Sequence, residues 1–124
     1  MKFYQCPICG NLILMVNDSG VAPHCCGQEM KLLKANTTDA STEKHVPVVE
    51  VDEHHVEVRV GSAPHPMTEE HHIAFFVLVT TRGPRINYLY DESEAKTCFK
   101  LCKHETPLAV YEYCNLHGLW KVEL

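Results

Sequence analysis

The sequence has no apolar stretch long enough to cross a bilayer: the longest, Ile73 to Val79, falls far short of the roughly 20 residues a membrane helix needs. Nor is there an excess of positive charge. The formal net charge is −5 at pH 7, which speaks against a broad nucleic-acid-binding surface. No segment shows a convincing helical period, and none repeats another. The chain opens Met1-Lys2-Phe3-Tyr4-Gln5-Cys6, without the apolar core of a secretory signal. These absences lead to the expectation of a small cytoplasmic protein with no membrane and no nucleic-acid partner. Its 124 residues suffice for one ordinary domain, or for a very small one joined to one of about 90.

Histidine and cysteine are plentiful, with nine of the first and seven of the second. An odd number of cysteines leaves one thiol over from any complete disulfide framework. The economical reading is reduced, metal-binding cysteines in a reducing compartment. Cys6-Pro7-Ile8-Cys9 is a Cys-x-x-Cys knuckle, in which two thiolates reach one ion while turn N–H groups point at the sulfurs. Cys25-Cys26 supplies two more sulfurs, and the adjacency of that pair implies a site distorted from two symmetric knuckles. Four thiolates suit structural zinc and redox iron equally well. Residues 1–34 cannot bury a core of their own, so a metal is the expected staple.

Residues 35–44 are polar and without period, and read as a linker that leads into a functional loop. From residue 45 to 124 the pattern is all-β. Val46–Val51 and Val56–Val60 suggest a hairpin, the second strand alternating strictly. Further strands are expected at Ile73–Thr81, Ile86–Tyr90, Leu108–Tyr113 and Leu119–Val122. Short strands at intervals of about ten residues indicate an antiparallel sandwich.

Three clusters stand at the ends of these strands: Glu43-Lys44-His45, His65-Pro66-Met67 followed by His71, and Cys114-Asn115-Leu116-His117-Gly118-Leu119-Trp120. Cys114 and His117, three residues apart, can share one metal. The ordinary reading of a histidine is a solvated side chain, and His24, His54, His55, His72 and His104 are assigned to the surface. Cys98 and Cys102 are read as free thiols.

Taken together, the knuckle with its adjacent Cys-Cys pair and the three later clusters closely resemble the desulfoferrodoxin family, the two-iron class of superoxide reductases. The resemblance runs over nearly the whole chain. It implies a desulforedoxin-like first domain and an immunoglobulin-like β-sandwich. It also implies two iron ions per chain, one held by Cys6, Cys9, Cys25 and Cys26, the other by His45, His65, His71 and His117 with Cys114 as the axial thiolate. Superoxide would be the substrate, reduced by one electron to hydrogen peroxide. Lys44 would guide the anion, and Glu43 would take the open coordination position of the oxidised iron. A rubredoxin-like electron donor and a homodimer are implied as well. The rival readings are a non-enzymatic iron electron carrier and a zinc-stabilised structural module.

Overall fold

The computed structural model describes residues 1–38, 42–90 and 92–124, and of Thr42 and Glu43 the backbone. The chain divides into two compact units, Met1–Lys34 and Ala35–Leu124.

In the first unit, strands β1 (Phe3–Gln5), β2 (Leu12–Leu14) and β5 (Lys31–Leu32) form one antiparallel sheet in the order β2-β1-β5. Strands β3 (His24–Cys25) and β4 (Gln28–Glu29) form a separate hairpin. Its two loop residues, Cys26 and Gly27, both have positive φ, at 53° and 78°. A two-residue hairpin of this hand matches the right-handed twist of its strands. It places Cys25 on a strand and Cys26 in the turn, which explains how neighbouring cysteines serve one site. The unit's core is a small cluster of Tyr4, Cys6 and Met30, with Ile13, Met15, Ala22 and Cys25 packed against it. So small a core leaves stability dependent on the cysteine cluster.

The second unit is a sandwich of two antiparallel sheets. One joins β10 (Lys96–Lys100), β7 (His55–Val60) and β6 (Pro47–Val51) in that order. The other runs β12 (Gly118–Glu123), β11 (Pro107–Cys114), β8 (Ile73–Thr80) and β9 (Gly83–Tyr88). In β7, buried Val56, Val58 and Val60 alternate with exposed Glu57 and Arg59, as the period of two requires. Those valines and Phe99 meet Phe76, Leu78 and Val110 of the facing sheet, so the core lies between the layers. β8 carries a bulge at its start. Tyr113 faces Phe75 and Cys114 faces Ile73, which leaves Ala74 without a partner across the ladder.

The all-β expectation holds, with differences. A single helical turn, α1 (Thr42–His45), stands where a linker end was expected. Its four residues are too few to register as a periodic pattern. β10 went unread because the polar, charged sequence around Cys98 lacks alternation; it forms as an edge strand paired to β7. β9 begins at Gly83, before Pro84, because the edge of the sheet tolerates proline. Asn36, within the expected linker, is fixed to β12. Its side-chain amide donates to Lys121 O (3.0 Å) and accepts from Lys121 N (2.8 Å), while its backbone N donates to Leu119 O (3.0 Å). The amide therefore acts as one further rung on that strand.

Candidate metal centres

In the first unit the sulfurs of Cys6, Cys9, Cys25 and Cys26 all lie within 4.8 Å of one another. Cys6 is buried, and the N–H groups of Ile8 and Cys9 donate to its sulfur at 3.4 and 3.5 Å. Those donors, Cys9 N–H above all, pull the Cys6 thiol down to about 6. Its neighbours move the other way. Hydrogen bonding with the Cys9 thiol is the main cause that raises Cys25 and pushes Cys26 up to about 12. Cys6 ionises readily while Cys25 and Cys26 resist, so four thiolates this close need a cation among them.

The second cluster is built from both sheets. His45 ends α1, His65 and His71 come from the segment between β7 and β8, and Cys114 and His117 bracket the β11–β12 turn. The four imidazoles form a closed ring. Centroids of successive rings lie 5.2 Å apart for His45–His65, 4.6 Å for His65–His71, 5.0 Å for His71–His117 and 4.6 Å for His117–His45. Every neighbouring pair meets edge to face, at 61° to 79°. Cys114, fully buried, belongs to both halves: its sulfur lies 3.9 Å from His65 Nε2 and 3.7 Å from His117 Nδ1. Ligand atoms within each of the triads His45–Cys114–His117 and His65–His71–Cys114 lie within 4.8 Å of one another.

A metal fits this set on three observations. His71 Nε2 is buried and has no hydrogen-bond partner among the described residues. His65 Nδ1 lies 2.7 Å from Pro66 O, which fixes the proton there and leaves Nε2 free to ligate. Burial first, then repulsion from the other imidazoles, brings His45 down to about 4; burial also lowers His65 and His71. These three rings are therefore neutral at pH 7, the form a metal needs. Burial pushes the Cys114 thiol up, so it keeps its proton until a cation displaces it.

Of two adjacent histidines, it is His71 that joins the ring. His72 turns aside, its Nδ1 lying 2.8 Å from Thr68 O. His24, His54 and His104 are exposed, and His55 is half-buried beside Asp52. Cys98 and Cys102 are exposed free thiols. Lys44 is exposed next to His45; the side chain of Glu43 lies outside the described residues.

Three further residues support the site: Glu112, which escaped the sequence reading, and Asn115 and Trp120, which lie in the third cluster. Glu112 is fully buried, with Oε1 3.9 Å from His45 Nδ1 and no hydrogen bond to either oxygen among the described residues. Burial alone raises its carboxyl well above the usual range. Strand alternation was the available signal, since Glu112 shares a face with Val110 and Cys114. Asn115 ties the ligand segments together. Its Oδ1 accepts from His72 N (2.8 Å), its Nδ2 donates to Glu70 O (2.9 Å), and its backbone N donates to His72 O (3.1 Å). Trp120, also fully buried, stacks on His45 at 5.0 Å and 16°.

Comparison with known proteins agrees with this arrangement. The family model described as "Desulfoferrodoxin, N-terminal domain" matches residues 1–33, and the one described as "Desulfoferrodoxin" matches residues 37–123. The desulfoferrodoxin of Syntrophotalea carbinolica is 41% identical over 123 residues, covering 99% of this chain and 96% of its own. That of Nitratidesulfovibrio vulgaris is 41% identical over 124 residues, covering 98% and 95%. The crystal structure of the superoxide reductase from Treponema pallidum superposes with a TM-score of 0.81 at 36% identity, covering 98% of both chains. With a four-cysteine cluster in one unit, a four-histidine, one-cysteine cluster in the other and similarity over the full length, the chain belongs to the desulfoferrodoxin family.

Proposed function

We propose that the protein is a two-iron superoxide reductase. The observation that carries this reading is the closed ring of four imidazoles with one buried thiol shared between its halves. His45, His65, His71 and His117 would hold iron in the ring, and Cys114 would ligate it as a thiolate. Bound there, iron supplies the single electron that, with two protons, converts superoxide to hydrogen peroxide. Neutral imidazoles and one thiolate leave a divalent ion a net charge of +1, which favours an anionic substrate. Lys44, exposed in α1 next to His45, would add a cation that raises the local superoxide concentration and orders a proton-donating water. Glu43, its neighbour, is the carboxylate proposed for the open coordination position.

Cys6, Cys9, Cys25 and Cys26 would hold the first iron. Its proposed partner is a rubredoxin-like one-electron donor, and the proposed assembly is a homodimer in the cytoplasm, with residues 1–34 and 45–124 as separate domains joined by 35–44. No helix among the described residues is long and apolar enough to cross a membrane.

Metal analysis, visible spectra before and after ferricyanide oxidation, and pulse-radiolysis kinetics test this reading. Two irons per chain, a new long-wavelength band on oxidation and rapid consumption of superoxide are expected. Bound zinc, with no second-site band after ferrous reconstitution, would overturn it in favour of a structural module.

A further inference from the structure

Gly61 immediately follows β7 and is buried. Its φ is +69°, and a Cβ added there would lie 2.8 Å from the backbone O of Lys44, 3.1 Å from its C and 3.1 Å from its Cα. The neighbour is main chain, not the yielding end of a side chain. It is also the peptide that joins Lys44 to His45, the cation and the first histidine of the ring. The seat under that peptide is fixed from behind. Val60 N donates to Ala95 O at 3.0 Å, and Arg59 Nη1 donates to Gly61 O at 2.9 Å. One register step back, Val60 pairs with Pro47, so β7 holds Gly61 against the chain just after the ligand.

Other positive-φ glycines differ. Gly83, at φ +104°, has open space where its Cβ would be, and Gly118 meets only the side-chain oxygen of Thr38, at 3.2 Å. Gly61 thus combines a backbone conformation that favours glycine with a main-chain approach that admits no side chain.

We propose that Gly61 is a positioning residue of the histidine site: its missing side chain sets the place of the Lys44–His45 peptide, and so fixes both the His45 imidazole and the approach of the Lys44 ammonium. This rests on the reading of Lys44 as a guide and His45 as a ligand. His45 is constrained on its far side by Trp120, 5.0 Å away and stacked, so a pushed peptide cannot relax by carrying the ring along.

The test compares Gly61→Ala with Gly83→Ala in the full chain. Both put alanine at a positive φ, +69° and +104°, the second no easier for an L residue than the first, but only Gly61→Ala meets main-chain atoms. Metal-free protein is titrated with Co²⁺ against a competing chelator, the four-thiolate cobalt bands serving as internal reference. Superoxide rates of the iron-loaded protein are followed against ionic strength. For Gly61→Ala, second-site affinity should weaken about 10- to 100-fold, the range seen when groups orienting a ligand are lost. Its rate at low salt should fall up to about tenfold, with a flatter salt dependence. Gly83→Ala should change neither. Equal behaviour of the two variants overturns the proposal. If Gly61→Ala does not fold, Arg59→Met, which frees the Gly61 carbonyl, takes its place: weakened second-site Co²⁺ binding supports the proposal and unchanged binding overturns it. Lys44→Ala separates the two levels. If it leaves the salt dependence intact, the guiding role fails; if it flattens the dependence while Gly61→Ala does not, the positioning role fails.

Discussion

Replacing Glu112 by leucine should stabilise the metal-free protein and weaken the metal-loaded site. Both carboxyl oxygens are buried and lack a hydrogen bond among the described residues, and Oε1 lies 3.9 Å from Nδ1 of His45, an imidazole that is neutral at pH 7. An unsatisfied buried polar group costs about 1–3 kcal/mol, and an apolar side chain of similar size removes that cost without opening a cavity. The gain should depend on pH. Burial raises the folded-state carboxyl pKa, so glutamate is tolerated below its ordinary value near 4.5 and becomes costlier as pH rises through the folded value. The advantage of leucine should therefore widen from about pH 4.5 upward. Metal binding runs the other way. With an ion on the ring, His45 is best oriented by an acceptor behind it, and losing such an acceptor weakens affinity about 10- to 100-fold, or about 1.4–2.8 kcal/mol. The two effects are similar in size and opposite in sign, so the loaded protein should change little in stability. Urea unfolding of metal-free protein at several pH values, together with chelator competition on loaded protein, measures both. A variant that is less stable when metal-free, or that binds metal unchanged, would refute the reasoning.

Cys114→Ser should abolish the long-wavelength band of the oxidised second centre and leave the four-cysteine bands in place; persistence of that band would remove Cys114 from the ligand set. His71→Ala should release the second metal about 100-fold more readily, whereas His72→Ala should lose only its surface contact with Thr68, a difference chelator competition resolves. Asn115→Ala should also weaken second-site affinity, since its side chain makes two of the three hydrogen bonds that tie the Glu70–His72 segment to the Cys114 turn. Glu105 accepts from Thr80 Oγ1 (2.6 Å), Cys102 N (2.8 Å) and Arg85 Nη2 (2.8 Å), with Thr80 the main cause that lowers its pKa. Its contribution is present above the ordinary carboxyl value and lost as pH falls through the folded one, so Glu105→Gln should flatten the acid limb of the stability curve.

Much of this was readable because the signals were strong and local. Alternation in Val56–Val60 announced β7, and the three clusters gave donor types at fixed spacing. What escaped depended on partners distant in sequence. β10 is a strand because β7 offers it a ladder, not because Lys96–Lys100 asks for one. Asn36 looked like part of a polar linker, but its value lies in matching Lys121, 85 residues away. Glu112 resembled one more surface carboxylate until the strand turned it toward His45. Gly61 had no signal at all, since a close approach of two backbones leaves no mark on composition.

The bulge at Ala74 has a meaning beyond strand shape. Counting back in twos from the core residues Leu78 and Phe76 leads to Ala74 and then His72; the extra residue shifts the count, so that Ile73 enters the core and His71 lies two steps before it. The choice between two chemically identical neighbours is thus made by strand phase, much as a reading frame decides which letters form a word. Deleting Ala74 should therefore keep Ile73 in the core and His71 at the ring, whereas a strand that kept Ala74 but lost the bulge would offer His72 instead, a rewiring that composition alone would not reveal.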